Sequence, residues 1–558
     1  MELYGWLAAR NLNIGCLGET EDFGDFVQYN HLLNKFPDDR VSVADEKQVC
    51  FLDGYLFNKE EYINEKEDKW QDIFAQRMGT KTKECLQGLR GGFCGYHYNK
   101  LAKELIIYTD HTANKVLFYY VKEDSWMVSS SLLMMVKVLK ANNICYHFNE
   151  TAAKYIMTYG FMLDDSTYVK EIHRLLNGNY LKVSNNEVSM DTYYRLHYSE
   201  TEMTRKEAVE RIDRAFRNAV EREFRKDLEY GYRHLVDLSG GLDSRMVAVV
   251  ADYLGFTDQL NVTYSQLQYT DATVSGEIAR DLGHEYLFKA LDDALWMYDV
   301  DEMVIKSNGA SGYMAMTGGN RLLKSLNLDD FGIEHTGMLG DVIISSYYHD
   351  KALAYQTPQY GYNQYSQSLS YEFDEELLHK FDTQELFTLN TRGILGMQVS
   401  YMIRQNYIET ASPFTDVDFL DTVLSIPFEY RAGHSIYLQW IAEKYPKAAE
   451  YGWEKWGGVK PKMSHLFFRK VRTTQRLAHI WYCKMRRIPN RDTMNPEDYW
   501  FQNNEKIQKY IQSLYENRIG NTLLSSELRE DLSRLFLKGD ITDKNLALTV
   551  LSAAHLFF

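Results

Sequence analysis

The chain has 558 residues, enough for two to four domains and too many for one small module. Hydrophobic residues make up 45% and charged residues 25%, a globular balance that argues against disorder. Lys and Arg number 62 against 78 Asp and Glu, and a net charge of −16 argues against a nucleic-acid partner, because phosphate binding needs a basic surface.

Six scattered cysteines without a CxxC exclude a disulfide scaffold and a cysteine zinc module. His147, His284 and His335 have no metal spacing with one another, so no zinc is expected. Met1-Glu2-Leu3-Tyr4 has no basic stretch leading into an apolar run, so no signal peptide is expected. Residues 546–558 are nearly apolar but too few to span a bilayer. They read as a core-facing final helix. The expected class is a soluble, cytoplasmic, multidomain protein with no membrane partner. The 42 tyrosines are read as composition bias rather than as pocket lining.

In chain order, residues 1–145 read mostly as strands. Short apolar runs such as Gln48-Val49-Cys50-Phe51-Leu52 and Leu105-Ile106-Ile107-Tyr108 are bounded by Asp, Gly and Asn. Residues 146–200 mix a helix with short strands. A helix follows over 204–224, opened by a Thr204/Glu207 capping box. Val209, Ile212, Phe216, Val220 and Phe224 recur on one of its faces. The pattern then becomes strand (234–238), turn (239–241), helix (242–254), strand (260–265), helix (272–282). Such alternation predicts a parallel sheet with helices on both faces. From about 300 to the end the chain reads as helical, interrupted at 337–341.

The informative string is Ser239-Gly240-Gly241-Leu242-Asp243-Ser244. It sits where a strand ends and a helix begins, a place that offers free N–H groups and the positive end of a helix dipole. Glycines let the backbone approach an anion closely, the serines add hydroxyls, and Asp243 can hold a divalent cation. Together these make a phosphate cradle at the carboxyl edge of a parallel sheet. It is not a Walker A loop, because no Gly-Lys-Ser/Thr follows. The plain alternative is a glycine turn feeding a helix, but a match to all five fixed positions arises by chance in on the order of 1 in 1,000 chains of this length.

At this string the sequence resembles the pyrophosphate-loop ATP enzymes, and among them the asparagine synthetase family. Thr336-Gly337-Met338-Leu339-Gly340-Asp341 resembles that family's SGEGxDE loop, and Ser412-Pro413-Phe414-Thr415-Asp416 resembles its VPFLD block. Lys460 lies 44 residues beyond Asp416, about where the family carries its catalytic lysine, and Lys462 is its rival. Toward the N-terminus, Asp53-Gly54-Tyr55-Leu56-Phe57-Asn58, Leu89-Arg90-Gly91-Gly92-Phe93 with Tyr108-Thr109-Asp110, and Ser129-Ser130-Ser131 are degenerate versions of the family's glutaminase blocks.

The resemblance implies an α/β protein. An N-terminal α+β glutaminase-like sandwich (1–200) would precede a doubly wound parallel-sheet domain of ATP-pyrophosphatase type (201–465) and a helical extension (466–558). It implies ATP and Mg2+, with a carboxylate activated as an acyl-adenylate and an amine displacing AMP. Asp243 and Asp341 would be the magnesium ligands and, with Lys460, the catalytic residues. Leu238, Ser239, Gly240, Gly241, Leu242, Asp243, Ser244, Tyr264, Thr336 and Gly337 would bind ATP and its pyrophosphate. The partners implied are a small-molecule or peptide carboxylate and ammonia or an amine donor, and a homodimer stays open. Arg245 is open between a charge beside the phosphates and a helix-surface arginine.

Several positions depart from the family pattern. The family's glutaminase uses an N-terminal cysteine, whereas Glu2 stands at position 2 and Cys16 is the first cysteine. Asp53 replaces the oxyanion asparagine with an acceptor. A glutaminase relic without glutaminase activity is therefore expected. Met338 and Val342 stand where the family has acids, which argues against ordinary asparagine synthesis. Such a front domain with a changed loop is similar to lasso-peptide cyclases and polysaccharide-cluster members, which take larger acceptors. Other pyrophosphate-loop chemistry and a non-catalytic nucleotide-binding scaffold are the competing readings. Residues 455–491 hold eleven Lys or Arg and no Asp or Glu, interleaved with aromatics. That stretch is open between a solvated basic face and a surface for an anionic substrate, leader peptide or nucleic acid.

Overall fold

The computed structural model describes residues 4–63, 69–185, 187–361, 364–397, 399–462, 466–486 and 488–558. Glu2, and residues 463–465 and Arg487 of the basic stretch, lie outside the described residues.

The N-terminal region is a sandwich of two six-stranded antiparallel sheets. Its layers follow from alternation along each strand. Trp6, Ala8, Trp126 and Val128 of one sheet meet Phe51, Tyr96, Tyr98 and Ile107 of the other. The residues between them point outward and are covered by helices. Leu7, Ala9, Phe118 and Met127 pack on the helices Leu132–Ala141 and Glu150–Tyr159. Cys50, Leu52, Ile106 and Tyr108 pack on Trp70–Thr80 and Thr82–Gly88. The result is four layers, α-β-β-α. The helices at 70–88 and 132–141 are additions to the strand-rich expectation. Leu132–Ala141 is apolar on nearly every side, so it carries no 3.6-residue period to read.

The expected helix after residue 204 is α1, Arg205–Glu229, and its capping box is formed in both directions. Val209, Ile212, Phe216, Val220 and Phe224 are fully buried. Then come β1 (Arg233–Asp237), α2 (Asp243–Tyr253), β2 (Gln259–Ser265), α3 (Thr270–Leu282), β3 (Glu285–Ala290), β4 (Phe331–His335), α4 (Gly340–Ser345) and β5 (Glu409–Ala411). The five strands form one parallel sheet in the order β3-β2-β1-β4-β5. Val236 faces α1, α2 and α3, whereas Leu235 and Val262 face Leu322, Leu323 and Leu328. Both faces are thus covered, as a parallel sheet requires. Strands β3, β4 and β5 are additions to the sequence expectation.

Two short helices, α5 (Val417–Leu424) and α6 (Ser435–Lys444), pack on α1. A 21-residue helix, α7 (Leu466–Arg486), follows. The last helix, α8 (Ile541–Phe557), is the core-facing helix expected from its apolar run, with Leu546, Ala547, Val550, Leu551 and Ala554 buried. It shares one core with Ile156 and Met157 of the sandwich helices and with Val300 and Val304. Among the described residues no helix is long and apolar enough to cross a membrane.

The sandwich and the parallel sheet meet at β5. Tyr55 donates to the Thr410 carbonyl at 2.8 Å and Asn114 donates to the same oxygen at 3.0 Å. Lys115 pairs with Glu409 at 2.8 Å.

Candidate active site

The cleft lies at the carboxyl ends of β1, β2 and β4. Leu238, Ser239, Gly241, Asp243, Ser244, Tyr264, Thr336 and Gly337 line it, so most of the residues picked from the sequence are brought together. The other two, Gly240 and Leu242, are buried within the same loop.

The loop from 238 to 244 is held by its own side chains. Ser239 N–H donates to Ser244 Oγ at 2.9 Å, and Gly241 N–H donates to Ser239 Oγ at 3.1 Å. Gly240 N–H donates to the Asp271 carboxylate at the start of α3. These N–H groups, expected to be free, are instead taken by nearby side-chain oxygens, since an unpaired buried N–H is costly. Burial pushes the Asp271 carboxyl up to about 6.

The second loop presses against the first. A Cβ on Gly337 would stand 2.2 Å from Ser244 N, and one on Gly340 would stand 2.7 Å from Asp243 Cγ. Both positions therefore require glycine. Leu339 between them is left-handed at φ 68°, and His434 opposite is left-handed at φ 67°. Strain of this kind in non-glycine residues costs on the order of 1–3 kcal/mol and gathers at functional sites.

This packing sets Asp341, at the start of α4, beside Asp243, at the start of α2. Asp243 accepts a hydrogen bond from Tyr437 of α6 at 2.7 Å. Burial, and then the charge of Asp341, pushes its carboxyl up to about 8. Burial also acts on Asp341, but His434 and Lys455 hold it below the usual carboxylate range. Lys455 Nζ lies 3.2 Å from Asp341 Oδ2 and 3.1 Å from His434 Nε2. Two adjacent, half-buried carboxylates repel one another's charge, and Lys455 offsets only one of the two. The donors are hard oxygens from two strand ends, a set that fits Mg2+.

Lys460, expected as the catalytic lysine, is not brought to the cleft. It pairs with Glu450 at 3.1 Å on the exposed surface, and its rival Lys462 pairs with the same carboxylate. The cation at the carboxylates is Lys455. Past it, Gly457 (φ 62°) and Gly458 (φ 84°) turn the chain back so that Trp453 N–H donates to the Val459 carbonyl at 3.0 Å, which leaves Lys460 beside Glu450.

Arg245 does neither of the jobs open to it. It is buried and donates to the carbonyls of Ala448 (2.9 Å) and Gly240 (3.1 Å), tying the loop to the segment after α6. Asp416 is structural as well. It caps α5 through the N–H groups of Asp418 and Phe419 and pairs with Arg222 of α1 at 2.7 Å. The residues missed from the sequence are Lys455, His434, Tyr437, Asp271 and Arg404. Arg404 lines the cleft, bridging Asp237 (2.9 Å) and Tyr264 (3.2 Å). Only Asp271 carried a readable signal, an acid at a helix start beside a strand end.

A small cavity lies where the sandwich meets the C-terminal part, lined by Tyr4, Arg40, Asp53, Cys94 and Lys115 on one side and by Lys306, Met402 and Glu409 among others on the other. Asp53 is held between Arg40 (3.3 Å) and Lys115 (3.6 Å). Cys16 is exposed and is not among its lining residues. Burial keeps the Cys94 thiol well above its ordinary pKa. Asp110 accepts N–H bonds from Phe93, Thr112, Asn114 and Lys115, organising the neighbouring loop.

Asp227, His234 and His335 also gather ligand atoms within 4.8 Å of one another. Their contacts are hydrogen bonds, His335 to Asp227 at 2.7 Å and to Glu223 at 2.6 Å, and His234 to Asp227 at 3.0 Å. This is a buried ion network under the sheet, not an open ligand set.

Residues 44–194 match the family described as glutamine amidotransferase domain, so the sandwich is of amidotransferase type and points to an enzyme of that broad class. Among solved structures, the chain is similar to the glutamine phosphoribosylpyrophosphate amidotransferase from B. subtilis complexed with ADP and GMP. Identity is 9%, over 51% of this chain and 59% of that one, with a TM-score of 0.22. A structure described as the allosteric regulatory enzyme of purine biosynthesis matches at 9% identity, over 51% and 74%, with a TM-score of 0.23. The chain thus spans under two thirds of the first of these, and at such scores neither bears on its chemistry. No curated protein matches.

Proposed function

We propose that this chain is an ATP-dependent amide-bond-forming ligase of the asparagine synthetase type, without glutaminase activity of its own. The observation that carries the reading is the half-buried pair Asp243 and Asp341, pressed together by Gly337 and Gly340 at the carboxyl edge of the parallel sheet. Mg2+ held by these carboxylates would neutralise the pyrophosphate leaving from ATP. The 239–244 loop would take the phosphates, with its N–H groups transferring from Asp271 and the serine hydroxyls to phosphate oxygens. Leu238, Tyr264 and Thr336 would border the nucleotide. Lys455 would supply the cation assigned by spacing to Lys460, adding charge stabilisation where the adenylate forms. Met338 lines the cleft and has no group to take a proton from an amine, which favours an acceptor other than aspartate.

The proposed loss of glutaminase activity rests on the cavity where the sandwich meets the C-terminal part. Its Asp53 is an acceptor locked by cations, and its Cys94 thiol is kept protonated. A second reading, a nucleotide-binding scaffold without catalysis, is favoured by Met338 and Val342, which stand where the resembled family carries acids.

The test is release of AMP and pyrophosphate from ATP and Mg2+ over a panel of carboxylates, with ammonium or glutamine as nitrogen source. AMP with ammonium, none with glutamine, and none in Asp243→Asn are expected. ATP bound without AMP for any acceptor would favour the scaffold.

A further inference from the structure

Helix α7 is anomalous in this molecule. Over its 21 residues it carries six Lys or Arg and no Asp or Glu. The whole chain is acidic, and outside 455–491 it holds 51 Lys and Arg against 78 Asp and Glu. Among the described side chains of α7 only Cys483 is buried.

The helix is amphipathic, and its apolar side faces away from the protein. At 3.6 residues per turn, Phe467, Val471, Ala478, Trp481, Tyr482 and Met485 share a sector roughly 100° wide. Phe467 is 71% exposed, Trp481 64% and Met485 65%. Cys483, which touches the body, and Arg476, 3.6 Å from Glu454, lie on the opposite side. Lys470 and Lys484 border the apolar sector on one edge and Arg486 on the other, by the same helical count.

Large apolar side chains left in water at this density mark a binding surface. The charge pattern selects the occupant. Pairing α7 with α7 of a second copy would bring like charges together, because residues 455–491 contain no acid to offset them. An anionic bilayer surface offers an apolar layer for the ring and methyl groups, and phosphates for cations whose stems reach around the edge. Trp and Tyr favour that boundary. The expectation of no membrane partner rested on the lack of a spanning segment, and a helix lying flat needs no span.

We propose that α7 docks the protein peripherally on anionic lipid surfaces, its Trp481–Met485 face inserted at the headgroup boundary. The full-length chain would be sedimented with vesicles of phosphatidylcholine alone and of phosphatidylcholine mixed with phosphatidylglycerol, at rising salt. Binding to the mixed vesicles only, weakening with salt, is expected. Trp481→Glu with Met485→Glu should weaken it by about tenfold or more. Lys470→Gln with Lys484→Gln should weaken it at low salt. A blue shift of tryptophan emission on binding should disappear in Trp481→Phe. Circular dichroism and unchanged ATP binding would show that each variant is folded. Absence of sedimentation with mixed vesicles, or equal binding by the glutamate variant, would overturn the proposal. So would a dimer in solution that the glutamate variant dissolves, which would assign the face to a second copy. Binding of soluble polyglutamate that vesicles cannot displace would assign it to an acidic protein and equally overturn it.

Discussion

The junction cavity and the sheet-edge cleft each hold a carboxylate, Asp53 in one and Asp243 in the other, yet they treat its charge differently. Around Asp53 the charge is closed by Arg40 and Lys115, with Lys115 shared by Glu409 across the junction. Around Asp243 the compensation is weaker: Lys455 and His434 contact Asp341 directly, and burial with the charge of Asp341 pushes the Asp243 carboxyl up, against the lesser pull of Tyr437 and Lys455. A compensated carboxylate is a structural part. A carboxylate left with so little compensation is the kind of group that the proposed Mg2+ would complete.

Breaking the open site should have the largest effect on chemistry. Asp243→Asn is expected to lower AMP formation by about 10³-fold while the protein stays folded, because neutralising this half-buried acid removes a ligand and no structural ion pair. Thermal melting beside the AMP assay checks both halves. The closed site should respond the other way. Lys115→Met strips the buried Glu409 of its lysine and leaves Asp53 with Arg40 alone, and is expected to cost about 3–5 kcal/mol of stability in denaturant unfolding. AMP formation by the folded fraction should persist.

The comparison sharpens at the lysines. Lys455→Ala should reduce AMP formation by about 10²-fold. Lys460→Ala and Lys462→Ala, which remove exposed partners of Glu450, should change it by less than about threefold. The reverse ranking would restore the spacing-based choice.

The smallest effect concerns the ion network beneath the sheet. Burial opposes charge on His335, but Asp227 and Glu223 push it up to about 9 from an ordinary 6.5. A raised pKa contributes stability that is fully present below about pH 6.5 and lost as pH rises through about 9. The expected loss is on the order of 2–3 kcal/mol, read by urea unfolding at a series of pH values. His335→Gln should flatten that profile.

Local signals in the sequence were strong where one short segment makes the structure. The Thr204/Glu207 box and the apolar stripe of α1, and the strand-turn-helix around Ser239-Gly240-Gly241, are such segments. Partners far apart in sequence left no trace. Lys455 reaches Asp341 over 114 residues, Tyr437 reaches Asp243 over 194, and nothing in their local strings marks them. Strands β4 and β5 are each only five and three residues long, buried among helical stretches. Their charged Glu334 and Glu409 look unlike core, because Arg404 and Lys115 neutralise them only once folded. Gly337 and Gly340 were legible as glycines, but their reason, the close approach of Ser244 and Asp243, is a tertiary fact.

The central claim is that Asp243 and Asp341 form an unfinished cation site for a nucleotide. Calorimetric titration of ATP into the full-length chain, with Mg2+ and then with a chelator, tests it most directly. The account predicts binding with Mg2+ that weakens by about tenfold or more with the chelator and in Asp243→Asn. Equal ATP affinity in all three conditions would contradict it.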